Sequence, residues 1–216
     1  MTDNTVSEAD LRAQIVELSR SLFERGYSVG SSGNISVALA QGGFLITPTN
    51  SCLGRLEAEA ISRVDAEWSH VGGDAPSKEV FLHRAFYESR PETGAVVHLH
   101  STFATALSCL SDIDPANCLP PITPYVVMRV GTVPMVDYVM PGDPASGDLI
   151  RKLDGRAAAV LLANHGPVVS GASLTAAVYA AEELEETAKL VFLMRGQPSR
   201  QLATGQVAAL NARFKR

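Results

Sequence analysis

Residues Gly94 to Ala104 spell GAVVHLHSTFA, an apolar run that holds two histidines one position apart. The run is short, valine-rich and opened by a glycine, which predicts a buried strand over GAVVHLH. A helical pattern at 102–110 follows it at once. A buried strand that leads directly into a helix is the repeating unit of an α/β fold, so this stretch sets the fold class.

The rest of the chain alternates between strand and helix patterns in the same way. Two hairpins are predicted, one joining GNISVAL to GGFLITPT and one joining 157–164 to VVS through a turn at His165, Gly166 and Pro167. A further strand is predicted around 132–138, whereas LPPITPY is predicted to be irregular. Helices are predicted at 7–26, 77–90, 102–110, 144–153, 175–195 and 206–214. Because the hairpins break a purely parallel order, the pattern predicts one layered α/β domain over 1–216 with a mixed sheet.

The composition favours a globular chain with a small-molecule partner. The chain has 216 residues, 46% of them hydrophobic, which is ample for a buried core. Its 18 basic and 23 acidic side chains give a net charge of −5 without a long block of either sign, so nucleic acid and membrane partners are not expected. We expect no signal peptide and no membrane span. Three cysteines without CxxC spacing indicate reduced thiols and a cytoplasmic location.

The two histidines of the opening stretch are the first candidates for a functional site. Side chains alternate along a strand, so His98 and His100 should point to one face and Leu99 to the other. Neutral imidazole is the commonest protein ligand for zinc-type cations, which suggests a metal site. An isolated pair fits equally well one hydrogen-bonded core histidine beside another at the strand end.

Two further residues could complete such a site. His165 follows a buried strand in LLANHGPVV, where a loop can return over the sheet, although an ordinary turn residue fits as well. Glu79 lies in the predicted first turn of the helix 77–90, where acids are also common for helix-dipole and capping reasons. His70 and His83 carry no such signal and are predicted to be solvated or hydrogen-bonded side chains.

The loop GSSGNIS, residues 30–36, could bind an anion. Serine hydroxyls and backbone N–H groups freed by glycine form a concave donor surface, but a plain turn is the alternative. The chain lacks GxxxxGK[ST] and GxGxxG, which disfavours a nucleotide-binding fold. TPTNS at 47–51, and Ser77 with Lys78, offer further hydroxyls and one cation.

Six motifs in a fixed order carry a family resemblance: GSSGNIS, ITPTN, PSKE, VVHLHS, TPYVVMRVG and ANHGPVV. From about Leu11 to Arg195 the chain resembles the class II aldolase/adducin family. Within that family, PSKE, LHSTFATALSCL, TPYVVMRVG, LLANHGPVV and EELEETAKL are most similar to the 3-oxo-tetronate 4-phosphate decarboxylases. The resemblance implies a single three-layer α/β/α domain with a mixed, largely antiparallel central sheet.

The resemblance also implies a metal centre. A divalent cation, expected to be Zn²⁺, would bind His98, His100 and His165, with Glu79 as a further ligand that can release the cation and act as acid or base. Tyr125 of TPY stands where related aldolases and epimerases have a tyrosine proton donor. Members of the family typically form homotetramers with active sites shared between subunits, so Tyr125 would act across an interface.

A phosphorylated small-molecule substrate is the partner that the resemblance implies. Related fuculose phosphate aldolases have TPTG and PSSE where this chain has TPTN and PSKE. Backbone binding at position 50 and hydroxyl binding at position 78 therefore stay open, although a lysine ammonium can pair with a phosphate or a carboxylate. The implied substrate-binding residues are Gly33, Asn34, Thr49, Asn50, Ser77 and Lys78.

The implied activity is decarboxylation of 3-oxo-tetronate 4-phosphate to dihydroxyacetone phosphate and CO2, in the catabolism of four-carbon acid sugars. A 3-oxo acid loses CO2 when the electrons left behind flow into the ketone, and a Lewis acid stabilises the enediolate that forms. Tyr125 or Glu79 would then protonate it. A sugar-phosphate aldolase or a ribulose phosphate 4-epimerase would use the same residues. A non-catalytic adducin-like interaction domain is the alternative from another class.

Overall fold

The chain is organised around an eight-stranded sheet in a computed structural model that describes residues 6–214. In chain order the strands are β1 (Asn34–Ala38), β2 (Phe44–Ile46), β3 (Ser62–Val64), β4 (His70–Gly72), β5 (Ala95–His98), β6 (Met135–Val136), β7 (Ala159–Leu162) and β8 (Gly166–Gly171). Their spatial order is β4-β3-β2-β1-β5-β8-β7-β6. Neighbours are antiparallel except β6 and β7, which confirms the predicted mixed, largely antiparallel sheet.

Helices cover both faces of this sheet. They are α1 (Glu8–Glu24), α2 (Val80–Ser89), α3 (Thr102–Ser108), α4 (Pro124–Arg129), α5 (Ala145–Arg151), α6 (Leu174–Met194) and α7 (Thr204–Phe214), with a 3-10 turn at Leu53–Arg55. As predicted, Ser7 caps α1, because its Oγ accepts from the Asp10 N–H at 3.1 Å. Across residues 6–214, no helix combines the length and apolar character needed to cross a membrane.

Successive residues of the central strands enter two different cores. Val97 of β5 and Leu161 of β7 pack in a core with α1, α3, α4 and α6. Their neighbours Val96 and Val160 point the other way and pack with α2 and α5. The period of two along each strand therefore builds two cores on one sheet, which confirms the three-layer α/β/α arrangement.

Two predicted boundaries near the site differ from the structure. Helix α2 begins at Val80, three residues later than predicted, because Glu79 has φ −98° and ψ 18° and forms the N-cap. The hairpin of β7 and β8 turns at 163–165, since Leu162 already pairs with Gly166. Gly166 and the following proline therefore belong to the strand and not to the predicted turn.

Two strands and one α-helix were not predicted at all, and neither was the 3-10 turn at Leu53–Arg55. Helix α4 begins inside LPPITPY, the segment expected to be irregular, with Thr123 as the N-cap and Pro124 at the first position. Strands β3 and β4 have three residues each, SRV and HVG, and neither contains an apolar run that would mark a strand. His70 lies in β4, where its side chain is exposed, as predicted. The ends of the predicted domain, 1–5 and 215–216, lie outside the described residues.

The register of the central strands decides which loops meet. His98 closes β5 and pairs with Asn34, the first residue of β1, on one side. On its other side it pairs with Val168 near the start of β8. The end of β5 and the starts of β1 and β8 thus share one edge of the sheet, and the N-cap of α2 joins them there through Glu79 and Asn34.

Candidate metal centre

Four predicted ligands meet at this edge of the sheet: Glu79, His98, His100 and His165. One ligand atom from each lies within 4.8 Å of all the others. The Nε2 atom of His100 is 3.1 Å from that of His98 and 2.9 Å from that of His165. The Glu79 carboxylate lies 3.5 Å from His98 Nε2 and 3.4 Å from His165 Nε2. Residues from three separate segments therefore present their donor atoms to one point.

These distances fit a small divalent cation. Four donors that surround zinc as a tetrahedron, each about 2.1 Å from it, stand about 3.4 Å apart. The separations in the cluster lie on both sides of that value. Three imidazole nitrogens and one carboxylate oxygen also form a donor set that zinc commonly takes. The arrangement of the four residues is thus suited to a metal ion in both geometry and chemistry.

His98 is fixed by the main chain of the neighbouring strand. Its Nδ1 lies 2.9 Å from the carbonyl oxygen of Pro167 in β8, and its side chain is 0% exposed. A carbonyl only accepts, so Nδ1 carries the proton and Nε2 of the neutral ring presents a lone pair to the cluster. A hydrogen bond of this kind orients a metal-binding histidine and fixes its tautomer.

His165 is placed by the β7–β8 hairpin and by α3. Its N–H donates to Ser108 Oγ at 3.2 Å, and its carbonyl accepts from Thr105 Oγ1 at 3.2 Å. The next residue, Gly166, has φ 154°, and a Cβ there would lie 2.4 Å from the Leu99 carbonyl oxygen. Glycine is therefore needed at this position for the hairpin to approach the end of β5 so closely.

His100 lies between the end of β5 and the start of α3, and a buried acid holds that start. Glu185 of α6 accepts from the N–H groups of Phe103 and Ala104, both at 2.8 Å. These are unsatisfied donors at a helix N-terminus, so the carboxylate completes their hydrogen bonds. Glu185 belongs to EELEE, and its helical register with the buried Ala181 and Ala188 was the signal in the sequence that could have marked it as buried.

Burial keeps His98 and His100 neutral. It lowers the pKa of His98 to about 4, although the Glu79 carboxylate acts in the opposite direction. Burial also lowers the pKa of His100. Burial raises the pKa of Glu79, but the nearby imidazoles and the Asn34 amide outweigh this and leave the pKa below its usual range. Neutral imidazoles beside an ionised carboxylate are the protonation states that bind a divalent cation.

The predicted substrate-binding segments lie side by side next to this cluster. A bridge between Pro48 and Pro76 holds their loops together, with the Thr49 N–H donating to the Ala75 carbonyl at 2.9 Å. The Ser77 N–H donates to the Thr47 carbonyl at 3.2 Å, and Thr47 Oγ1 accepts from the N–H of the residue after Asn34. The three segments thus form one continuous surface that reaches Glu79.

Within this surface the six predicted residues are not equivalent. Asn34 and Ser77 are buried at 5% and 7% exposure, and Ser77 Oγ accepts from the Glu79 N–H at 3.2 Å. Asn50 has φ 56°, and Lys78 is exposed in the loop that the bridge between Pro48 and Pro76 joins to that of Asn50. Gly33 has φ 81°, and a Cβ there would come within 2.9 Å of the His98 carbonyl. Close approach to the predicted ligand His98 thus requires glycine at this position.

Tyr125 is the one predicted site residue that lies elsewhere among the described residues. It stands at the start of α4, whose neighbours Val126 and Val127 belong to the core on the other side of the sheet from α2. Its side chain is 55% exposed and lines a surface cavity together with Tyr27 and Tyr179. The structure of one chain therefore separates Tyr125 from the four predicted ligands.

His83 is a buried histidine whose place beside the cluster was not predicted. It is 0% exposed, and its Nδ1 lies 2.8 Å from Ser36 Oγ while its Nε2 contacts Asn34 Oδ1. The prediction of a hydrogen-bonded side chain was right, but its burial and its link to Glu79 through Asn34 were not anticipated. The signal was the spacing of Glu79, His83 and Tyr87, which puts all three on one stripe of α2.

The fold and this donor cluster define a known class of proteins. The model of the class II aldolase and adducin N-terminal domain family matches residues 13–192. The chain therefore belongs to the class II aldolase/adducin family, as its motifs predicted.

Particular relatives are similar over nearly the whole chain. The 3-oxo-tetronate 4-phosphate decarboxylase of Pectobacterium atrosepticum is 51% identical over 95% of this chain and 94% of its own length. The crystal structure of YgbL from Klebsiella pneumoniae superimposes with a TM-score of 0.92 at 50% identity, covering 95% of this chain and 99% of that one. A solved L-fuculose 1-phosphate aldolase has a TM-score of 0.86 at 27% identity, covering 99% and 100%.

Proposed function

We propose that this chain is a metal-dependent carboxy-lyase that converts 3-oxo-tetronate 4-phosphate to dihydroxyacetone phosphate and CO2. The observation that carries the proposal is the convergence of Glu79 and three histidine Nε2 atoms beside a surface rich in hydroxyl and amide donors. Likeness to a relative named for this reaction, at 51% identity over nearly the full length, supports the choice of substrate.

The reaction requires an acceptor for an electron pair and a donor of a proton. When the bond between C1 and C2 of the substrate breaks, CO2 leaves and the electron pair moves towards the C3 ketone, forming an enediolate. A divalent cation bound by the four residues would supply a Lewis acid for the charge that develops on the oxygens. Protonation at C2 then gives dihydroxyacetone phosphate, so the reaction is balanced without an oxidant or a reductant.

We assign the ligand role to His98, His100, His165 and Glu79, and we propose Zn²⁺ as the cation. Three neutral nitrogen donors and one oxygen donor support zinc over magnesium, which prefers an octahedron of oxygen atoms. Glu79 has a second role as an acid or base, because its side chain is 17% exposed while that of His98 is fully buried. A carboxylate with some exposure can exchange protons with a substrate.

We propose that the phosphate lies against Gly33, Asn34, Thr49, Asn50, Ser77 and Lys78. The support for this is the bridge between Pro48 and Pro76, which joins the loop of Thr49 and Asn50 to the loop of Ser77 and Lys78. The Lys78 ammonium is exposed on that surface and is available to pair with either the phosphate or the carboxylate of the substrate.

We further propose a homotetramer in which Tyr125 serves the site of a neighbouring subunit as a proton donor. Its exposed position on the opposite side of the sheet supports a role in trans. A mixture of His98→Ala and Tyr125→Phe chains, assembled together, should recover turnover that neither variant has alone. If the mixture stays inactive although the chains assemble, Tyr125 does not act across the interface.

A cytoplasmic location belongs to the same proposal. Cys52, Cys109 and Cys118 are free thiols, which suits a reducing compartment.

The test is a substrate panel with zinc-loaded protein. CO2 release from 3-oxo-tetronate 4-phosphate should be fast, whereas aldehyde release from fuculose phosphate and epimer formation from ribulose phosphate should be slow or undetectable. Faster aldehyde release would make the chain an aldolase, and faster epimerisation would make it a 4-epimerase. Failure to bind any divalent cation, together with no turnover, would favour the adducin-like interaction domain.

A further inference from the structure

The Glu79 carboxylate ends a chain of four hydrogen bonds that runs below the metal centre. Asn34 Nδ2 lies 2.8 Å from Glu79 Oε2, and Asn34 Oδ1 contacts His83 Nε2. His83 Nδ1 lies 2.8 Å from Ser36 Oγ, which lies 3.0 Å from the hydroxyl of Tyr87. The chain crosses from α2 to β1 and back, so it ties the helix to the sheet directly behind the carboxylate.

Each donor in this chain is determined by the group before it. The carboxylate of Glu79 accepts, so the Asn34 amide must face it with Nδ2 and turn Oδ1 to His83. His83 then donates from Nε2 and accepts at Nδ1 from the Ser36 hydroxyl, which accepts in turn from Tyr87. One orientation satisfies all five groups, and it requires a neutral imidazole at the centre.

The surroundings keep this orientation in place. Ser36 and His83 are 0% exposed and Asn34 is 5% exposed. If one of them turned away from its partner, water could not take the place of the lost hydrogen bond. Burial lowers the pKa of His83 to about 3, which agrees with a neutral ring. At the far end, the ring of Tyr87 packs against Phe44 with 4.5 Å between centroids.

We propose that Asn34, Ser36 and His83 are positioning residues that hold one oxygen of Glu79 in place and leave the other for the cation or the substrate. Glu79 Oε2 accepts from Asn34 Nδ2 and lies 3.5 Å from His98 Nε2, while Oε1 lies 3.4 Å from His165 Nε2. Groups that orient a metal ligand from behind commonly change metal affinity or turnover by about 10- to 100-fold when removed. The inference rests on the proposed role of Glu79, but zinc binding tests it separately from decarboxylation.

The test compares two variants of His83, the central residue of the chain of hydrogen bonds. His83→Leu removes both ring nitrogens, whereas His83→Gln keeps an amide N–H that can reach Asn34 Oδ1. We expect His83→Leu to weaken zinc affinity, measured by competition with a chelator, by about tenfold and to lower kcat by a similar factor with little change in KM. His83→Gln should recover most of both losses. Tyr87→Phe, at the far end, should stay within about threefold of the parent protein.

Folding is checked first by thermal unfolding of each zinc-free variant. If His83→Leu does not fold, Ser36→Ala takes its place, since it removes the donor to His83 Nδ1 and little volume. A folded His83→Leu protein with the zinc affinity of the parent would overturn the proposal. Equal losses in His83→Leu and His83→Gln would also overturn it, because the hydrogen bond would then not matter. If the parent protein binds zinc but releases no CO2, only the proposed reaction fails, and zinc affinity still decides this inference.

Discussion

The histidine side and the glutamate side of the candidate metal centre are built in different ways. The ring of His98 is held by the main-chain carbonyl of Pro167. The main chain of His165 is held by the side-chain hydroxyls of Thr105 and Ser108. Glu79 is held by a side-chain amide, itself oriented by other side chains. His98 is fully buried, while the Glu79 side chain keeps 17% of its exposure.

This difference assigns different tasks to the two sides. Strands and a tight hairpin cannot move without breaking the sheet, so the histidines suit permanent retention of a cation. A carboxylate held by side chains can shift between partners at lower cost, which suits a group that binds the cation and also exchanges protons. Substitutions on the two sides should therefore separate metal retention from turnover.

The largest effect is expected on the histidine side. His98→Ala removes a buried ligand from the centre of the sheet edge, so the protein should lose its zinc and its turnover together, the latter by about a thousandfold or more. Metal content after dialysis and CO2 release measure the two losses. A variant that works at full rate while free of metal would refute the assigned role.

A smaller and more selective effect is expected on the glutamate side. Glu79→Gln keeps the size of the side chain and one oxygen, so zinc should remain bound with moderately weaker affinity. Turnover should fall by about a hundredfold or more, because the amide cannot exchange a proton as an acid or base. Steady-state kinetics of the zinc-loaded variant provide the measurement. Unchanged kcat would mean that Glu79 only binds the cation.

Loss of the Glu185 carboxylate, which caps the start of α3 on the histidine side, should lower stability by a smaller amount. Glu185→Gln replaces one of two acceptor oxygens by a donor that faces a helix N–H, which should reduce the free energy of unfolding by about 1–3 kcal/mol. Urea unfolding measures this loss. Glu186→Gln, at an exposed position one residue along, is the matched control and should change stability by less than about 0.5 kcal/mol. Equal effects in both variants would contradict the capping role.

The smallest effect concerns acid stability on the glutamate side. Burial lowers the pKa of His83 from 6.5 to about 3, so between these values the unfolded chain binds a proton that the folded chain does not. The stability contributed by neutral His83 is therefore complete above about pH 6.5 and is lost as the pH falls towards 3. In His83→Gln, the unfolding free energy should fall less steeply, by up to about 1.4 kcal/mol per pH unit. Urea unfolding of both metal-free proteins at pH 7 and pH 5 compares the slopes, and identical slopes would contradict the buried neutral ring.

Much of the histidine side could be predicted from the sequence because its geometry is local. The spacing of His98 and His100 in an apolar run predicts a shared direction, and the hairpin pattern around His165 predicts a return to the sheet. The interleaved strands and helices, with two hairpins, likewise predicted the layered fold and its mixed sheet. The small strands β3 and β4 were missed because SRV and HVG contain no apolar run, whereas β2, of the same length, reads FLI.

The glutamate side depends on tertiary contacts that a single pattern does not contain. Glu79 was a carboxylate candidate from its position, but acids are common at helix starts, and only the family resemblance implied that it binds the metal. His83 and Tyr87 follow it at helical spacing, but nothing in the sequence states that this stripe faces Ser36 and Asn34 on β1. Helix α4 carried a usable signal, Thr123 followed by Pro124, which the surrounding prolines obscured.

Zinc stoichiometry tests the central claim most directly. Equilibrium dialysis of the purified chain against Zn²⁺ at neutral pH should give one tightly bound ion per chain. A variant that carries both His98→Ala and His165→Ala should bind none at the same free zinc concentration, although it remains folded. Equal zinc content in the two proteins, or no bound zinc in the parent chain, would contradict the account.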